Sequence, residues 1–406
     1  MMTIQHVPAR PSARDFPIVI VGAGMAAYAL ARELRKRDRD IPLLLVTADA
    51  GTVYAKPMLS NALAAGRDAE RLASAGAAEM AAVLGITILP HTRVTGIDTA
   101  AHVIDTTQGP IGYGRLVLAL GAGARRPQLQ GDAAHDVLAV DHLEGYALLR
   151  QRLDALGRPA HVAILGAGLA GCEFAEDFAA AGHRVTLVEP ARRPLAQLVP
   201  PPLSLALLRA WRALPIAVRQ GSAVAARRAG AADTGGVRLQ LDDGGTLDAD
   251  LVLAAIGSRP NVALAREAGL ATARGILVDG YGRAGAPDVY ALGDCAEYES
   301  GAGQLLRPGV AALQAAARAL AATLCGMPTP VEDEPVLTLK SPLCPIAVCA
   351  PAPGTHGEWQ LAHEDQRSVA RFVDDGGVLR GFALTRPTPA ARRALMAQLD
   401  RVVAVA

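Results

Sequence analysis

Apolar residues in this chain follow two rhythms. Short unbroken runs, such as Ile18–Val21, "LLLV" within "IPLLLVTAD", "RLVLALGA", "HVAILG" and "LVLAAIG", read as strands buried on both faces of a sheet. Stretches with apolar positions three or four apart predict helices over about Met25–Lys36, Asp141–Leu156 and Leu169–Ala181. The first strand, a glycine turn, the first helix and "IPLLLVTAD" make one βαβ unit. The same order returns at "HVAILG", the helix from Leu169 and "HRVTLVEP", with Gly182 as the helix stop and Phe174 and Phe178 set to face the sheet. Pro57 to Gly85 reads as helix-rich, and "RELRKRDRD" as a solvated helix face. "GVRLQLDDGGTLDADLVLAAIG" reads as a hairpin with an Asp–Gly–Gly turn leading into a buried strand. From Val331 the runs become strands and a hairpin, followed by a last helix within "TPAARRALMAQLDRV". The pattern predicts an α/β protein with a small α+β domain at its C-terminal end.

Composition narrows what such a protein does. With 406 residues, 51% hydrophobic and 19% charged, the chain fits two or three globular domains rather than disorder. A net charge of +1 argues against nucleic-acid or anionic-membrane partners, which call for a basic excess. No apolar run approaches the roughly 20 residues of a membrane span. The opening "MMTIQHVPARPSARDFP" has no apolar core of the signal-peptide kind and reads as a loose lead-in. Five cysteines, an odd number without framework spacing, fit reduced thiols in the cytoplasm. No His/Cys grouping has metal-ligand spacing, so no metal is expected.

Two glycine motifs carry the chemistry. "IVIVGAGMAAYAL" places Gly22, Ala23, Gly24, Met25 and Ala27 between a strand and a helix; "AILGAGLAGCEF" does the same with Gly166, Gly168 and Gly171. Such turns let backbone approach a pyrophosphate, and the helix N-terminus adds free N–H groups and about half a positive charge. The strand after the second motif ends in Glu189, placed to accept from a ribose 2′-hydroxyl and to repel a 2′-phosphate, which favours NAD over NADP. Arg192 and Arg193 nearby weaken that preference. Two dinucleotides in one chain suggest electron relay: a nicotinamide gives two electrons at once, an iron centre takes one, and a flavin does both.

These residues also carry a resemblance. The two fingerprints with "LVLALGA", "LVLAAIGSRPN" and "VYALGDCAE" resemble the FAD-dependent pyridine-nucleotide oxidoreductases from about Ile18 to Leu324. Within that group "VTADAGTVYAKPMLS", "HTRVTGID", "GAGLAGCEFA" and "LKSPLCP" resemble the rubredoxin–NAD⁺ reductase branch along almost the whole chain. The resemblance implies two interleaved Rossmann-like, three-layer domains. FAD would occupy residues 1–125 and 256–330, NAD residues 126–255, and the α+β domain residues 331–406. It assigns FAD to the first cradle, with Thr47 and Ala48 near the adenosine, Val94 on the adenine side, Asp294 at the ribityl or phosphate region and Val310 at the ring. It places Lys56, Glu173 and Lys340 beside the flavin, with Lys56 and Glu173 paired as the catalytic residues, and Gly257 with the NAD site. Many relatives end the strand of the first unit in an acid; here it is Thr47, with Asp49 two residues on. The implied activity is transfer of electrons from NADH through FAD to rubredoxin. The alternatives are a ferredoxin reductase serving an oxygenase and a non-catalytic FAD/NAD-binding signalling protein, as monomer or homodimer.

Residue usage sharpens this. The chain holds 40 lysines and arginines, yet only Lys36, Lys56 and Lys340 are lysine. An ammonium is a compact charge that can approach a ring where a flat guanidinium crowds it. Disulfide reductases of this fold carry a redox cysteine pair, and peroxidase-type relatives one cysteine, soon after the first βαβ unit. Here "GTVYAKPMLSNAL" has none. Cys172, Cys295, Cys344 and Cys349 read as structural thiols, and His91 and His102 are given no role.

Overall fold

The computed structural model describes residues 18–229, 236–300, 303–307, 309–332, 336–352, 354–364 and 367–400. The lead-in before Ile18, and Arg401 and Val402 of the last expected helix, lie outside the described residues. The chain divides into two compact units, each taken by itself. One comprises the described parts of Met1–Tyr54, Ala73–Gly123 and Arg259–Glu334; the other comprises those of Ala55–Leu72, Ala124–Ser258 and Pro335–Ala406.

In the first unit the apolar runs become a five-stranded parallel sheet. Its order is Val289–Ala291, Arg115–Leu118, Ile18–Val21, Leu43–Val46 and Thr87–Leu89. Ile18–Val21 and Leu43–Val46 are buried throughout, which is why they read as unbroken runs rather than alternations. The helix Met25–Arg37 buries Ala27, Tyr28, Leu30, Ala31 and Leu34, and packs against the helix Val310–Leu324.

Its basic end is exposed as expected at Arg32, Lys36 and Arg37, and Arg35 is the exception. Arg35 donates to the carbonyls of Leu84 (2.6 Å), Ile41 (2.8 Å) and Gly85 (3.0 Å), so it ties down the end of the helix Ala77–Leu84. Lys36 pairs with Glu33 and is exposed as expected.

The stretch from Pro57 to Gly85 is less helical than its composition predicts. It holds the 3₁₀ turn Lys56–Asn61, a single helical turn Ala69–Leu72, the strand Ala73–Ala75 and the helix Ala77–Leu84. Ala73–Ala75 pairs antiparallel with Val53–Tyr54. Pro57 lacks a donor and Gly66 is left-handed at φ 63°, which breaks one long helix into pieces.

The second unit has a four-stranded parallel sheet in the order Ile216–Gln220, Arg184–Glu189, His161–Leu165 and Leu251–Ala254. The helix Leu169–Ala180 lies against it with Phe178 fully buried, Phe174 nearly so and their rings 5.6 Å apart. An antiparallel sheet of Ala223–Ala229, Gly236–Leu241 and Thr246–Ala249 follows.

The C-terminal region forms a five-stranded antiparallel sheet in the order Leu337–Leu339, Ile346–Cys349, Leu379–Thr385, Arg367–Asp374 and Gly357–Glu364. Thr388 caps the last helix, Pro389–Met396, by accepting from the Ala391 N–H. "DDGG" turns two hairpins, at 242–245 and 374–377, where Asp243 and Asp374 accept from glycine N–H groups two residues on. No described helix is long and apolar enough to cross a membrane.

Candidate functional site

In the first cradle, Gly22 follows the strand Ile18–Val21 at φ 112°, and a Cβ there would stand 2.4 Å from the Ala119 carbonyl oxygen. Neighbouring backbone therefore demands that glycine. Gly24 is different: its φ of −80° suits any residue, and an added Cβ would meet nothing within 4 Å. Packing does not explain it, but room for a ligand against the helix N-terminus does. Among the described residues no side chain caps that end, so its first N–H groups stay open to an anion. Ala27, third in the fingerprint, is fully buried.

Around this cradle, Thr47 donates its hydroxyl to Asp49 Oδ1 at 2.7 Å, and Gly51 N–H donates to the same oxygen at 2.8 Å. Thr47 and Asp49 are thus one hydrogen-bonded unit at the end of the strand Leu43–Val46, with Ala48 exposed beside them. Asp294 lies in the turn Gly293–Cys295. Gly293 holds φ 80°, and a Cβ on it would come 2.8 Å from Ala26 Cβ, which sets this turn against the first turn of the cradle helix. Cys295 donates its thiol to Leu118 and Leu292 carbonyls, and burial raises it to about 11. Val310 opens the helix Val310–Leu324 and is 38% exposed; Val94 opens the strand Val94–Asp98.

The second cradle repeats the logic in the other unit. Gly166 holds φ 99° with a virtual Cβ 2.7 Å from Ala255 O, and Gly168 faces open space at φ −74°. A Cβ on Gly171 would come 2.0 Å from the Gly166 carbonyl oxygen. Glu189 Oε2 accepts from Ala167 N–H at 2.8 Å and Oε1 from Ala191 N–H at 3.1 Å, so its carboxylate is fixed over the glycine turn. Arg193 spends its guanidinium on Val199 O, Ser204 Oγ and Ala196 O, and burial lowers its pKa. Of the two arginines expected to compete with Glu189, only Arg192 is exposed. Gly257, at φ 97°, accepts from Arg125 N–H through its carbonyl.

The third feature is an acid cluster on the helix Leu169–Ala180. Glu173, Glu176 and Asp177 are all buried. Glu173 pairs with Lys340 Nζ at 2.7 Å, and accepts from Ser60 Oγ at 2.5 Å and Lys340 N–H at 2.9 Å. Lys340 Nζ also donates to Pro57 O. The resemblance implies Lys56 as a partner of Glu173; Lys340 reaches the carboxylate through both its backbone N–H and its ammonium. Lys56 opens the 3₁₀ turn that contains Ser60.

Asp177 accepts from Leu63 N–H (2.9 Å) and Ala64 N–H (3.0 Å). Burial raises its pKa and these amides oppose the rise. Glu176 accepts from Trp211 Nε1 (2.8 Å), Leu343 N–H (3.0 Å) and the Ser341 hydroxyl. Sequence reasoning singled out Glu173, Lys56 and Lys340, but not Ser60, Glu176, Asp177 and Ser341, which the structure joins to this cluster. The available signal was "EFAED", three acids at i, i+3 and i+4 beside two sheet-facing phenylalanines.

Residues 16–319 match the family described as pyridine nucleotide-disulphide oxidoreductase, and residues 334–399 match the rubredoxin binding C-terminal domain. The chain is 41% identical over 370 residues to a rubredoxin-NAD(+) reductase of Alcanivorax borkumensis, covering 91% of this chain and 94% of that one. It is 39% identical over 385 residues to a nitric oxide reductase FlRd-NAD(+) reductase of Aeromonas salmonicida, covering 95% and 96%. Among solved structures, a ferredoxin reductase from Rhodopseudomonas palustris superposes with a TM-score of 0.84 at 28% identity, covering 95% of this chain and 96% of that one.

Three outcomes are expected. Gly168→Ala keeps a near-native thermal midpoint but weakens NADH binding by at least about tenfold in titration, because the methyl enters ligand space. Gly171→Ala instead lowers the midpoint itself, because its methyl meets backbone. In thiol titration the denatured chain gives five reactive cysteines; the folded chain gives at most Cys325, since Cys172, Cys295, Cys344 and Cys349 are buried.

Proposed function

The chain belongs to the pyridine nucleotide-disulphide oxidoreductase family, and we propose that it is an NADH-dependent FAD flavoprotein that passes electrons to rubredoxin. It is an FAD oxidoreductase that uses NADH. The observation that carries the acceptor is the match of residues 334–399 to a rubredoxin-binding domain. A ferredoxin as acceptor is the second reading, favoured by the likeness to the ferredoxin reductase. The cytoplasm is the proposed compartment.

The residues present fit two dinucleotides, because each middle glycine keeps open a space that the protein itself does not use. Gly22, Ala23, Gly24 and Met25 would hold FAD at the first helix N-terminus, with Thr47, Ala48, Val94, Asp294 and Val310 around it. Gly166, Gly168 and Gly171 would hold NADH, Glu189 would take its ribose, and Gly257 would border it. When bound, FAD would supply exchange between two-electron and one-electron carriers, which matches a nicotinamide to an iron centre.

The chain's own part is positional and electrostatic. Lys56 and Lys340 supply compact positive charge where negative charge develops, and Glu173 holds Lys340 in place. The scheme needs no side-chain nucleophile, and "GTVYAKPMLSNAL" offers no cysteine for disulphide chemistry.

With NADH and cytochrome c as reporter, rubredoxin should support turnover at least about tenfold faster than a ferredoxin. Equal or faster turnover through ferredoxin overturns the acceptor assignment. In stopped flow, Lys56→Met and Lys340→Met should each slow flavin reduction by roughly 10²-fold, the scale of losing one electrostatic stabiliser. The dissociation constant for NADH should change far less. Wild-type reduction in either variant removes that lysine from the mechanism.

A further inference from the structure

We propose that Glu176 and Asp177 are positioning residues, which fix the two lysine-bearing segments to the helix that begins at the NADH cradle. The inference rests on the reading that Lys56 and Lys340 act on the flavin.

The segments in question are the turn around Lys56–Asn61 with the residues after it, and the irregular stretch from Lys340 to Cys344. Neither is held by a sheet ladder along these residues. Leu63 and Ala64 hang from Asp177 by two backbone N–H groups. Leu343 N–H and the Ser341 hydroxyl hang from Glu176, and Ser341 in turn accepts from Cys344 N–H at 2.9 Å. Trp211, 2% exposed, donates its indole N–H to the same Glu176 carboxylate and locks that rotamer.

The choice of residue type carries the argument. Removing a carboxylate from water is costly, and apolar side chains of similar size would bury more cheaply. Apolar contacts, however, tolerate sliding, whereas a carboxylate that accepts from two backbone donors fixes both distance and direction. The hydrogen bonds described for Glu176 and Asp177 reach both segments. They act through Ser341, Leu343, Leu63 and Ala64, which flank Lys340 and the Ser60 that shares Glu173 with it. All of these contacts come from one helix, so the lysines inherit the cradle's frame.

Glu176→Gln isolates the role. The amide keeps an acceptor for Leu343 N–H, and the Ser341 hydroxyl can reverse to accept from it. The Trp211 N–H donates only and then faces the amide NH₂. In the FAD-loaded protein, amide exchange at 341–344 should rise at least about fivefold in Glu176→Gln, as the segment loosens. Exchange at 62–65 should rise similarly in Asp177→Asn. The limiting rate of flavin reduction should fall about tenfold with the NADH dissociation constant within about twofold, and the flavin midpoint potential should move to more negative values. Ser341→Ala, which removes one donor without touching the helix, should show the same signs if Glu176→Gln does not fold. Slow reduction in Lys340→Met beside wild-type rate and potential in the clamp variants overturns the positioning role alone. Wild-type reduction in Lys340→Met overturns the lysine assignment on which it rests.

Discussion

The second unit depends on one constraint: three carboxylates buried on a single helix must each be satisfied. Glu173, Glu176 and Asp177 lose water together, and none can be left with an open acceptor at tolerable cost. Their donors cannot come from the helix, whose own amides are already paired. They come instead from the 57–64 and 340–344 segments, from Trp211 and from the Lys340 ammonium. Segments distant in sequence are therefore brought to one helix by electrostatic need, and "YAKPMLS" and "LKSPLCP" meet on "GCEFAED" for this reason.

The two cradles show the same fingerprint solved in two ways. In both, the first glycine is required because a carbonyl of the adjoining segment, Ala119 or Ala255, leaves no space for a Cβ. In both, the middle glycine borders empty space. They differ in the third position. Gly171 lies so near Gly166 O that no side chain fits, while the first cradle accepts the methyl of Ala27, fully buried in its core. A motif match is thus three separate physical statements, and only the middle one speaks of a ligand.

What the sequence made legible follows from which forces are local. Parallel strands such as Ile18–Val21 and His161–Leu165 show as unbroken apolar runs because both faces are covered, and both "DDGG" hairpins follow from Asx-turn chemistry. The helices at Met25 and Leu169 were readable from glycine starts and apolar spacing. The Pro57–Gly85 stretch was not, because alanine-rich composition favours helix wherever nothing else intervenes, and the pairing of Ala73–Ala75 with Val53–Tyr54 is a tertiary event. Arg35 escaped for a related reason: a charged run at a helix end looks solvated until a neighbouring helix end supplies carbonyls. At the site, lysine scarcity pointed to Lys56 and Lys340, but no local pattern shows that Lys340 reaches Glu173 across 167 residues of chain.

The charge pattern around the helix also explains which chemistry the second unit leaves aside. Cys172 lies one residue before Glu173 and directly after Gly171, a position that looks suited to a reactive thiol. Burial pushes its pKa up first, and Glu173, Glu189 and Glu176 push it further. Its thiol instead donates to the Ala167 carbonyl as a small buried group. Carboxylates that oppose a thiolate favour a cation, and Glu173 holds the Lys340 ammonium. A field that suppresses sulfur anions and retains an ammonium opposes storing electrons in a cysteine at this position.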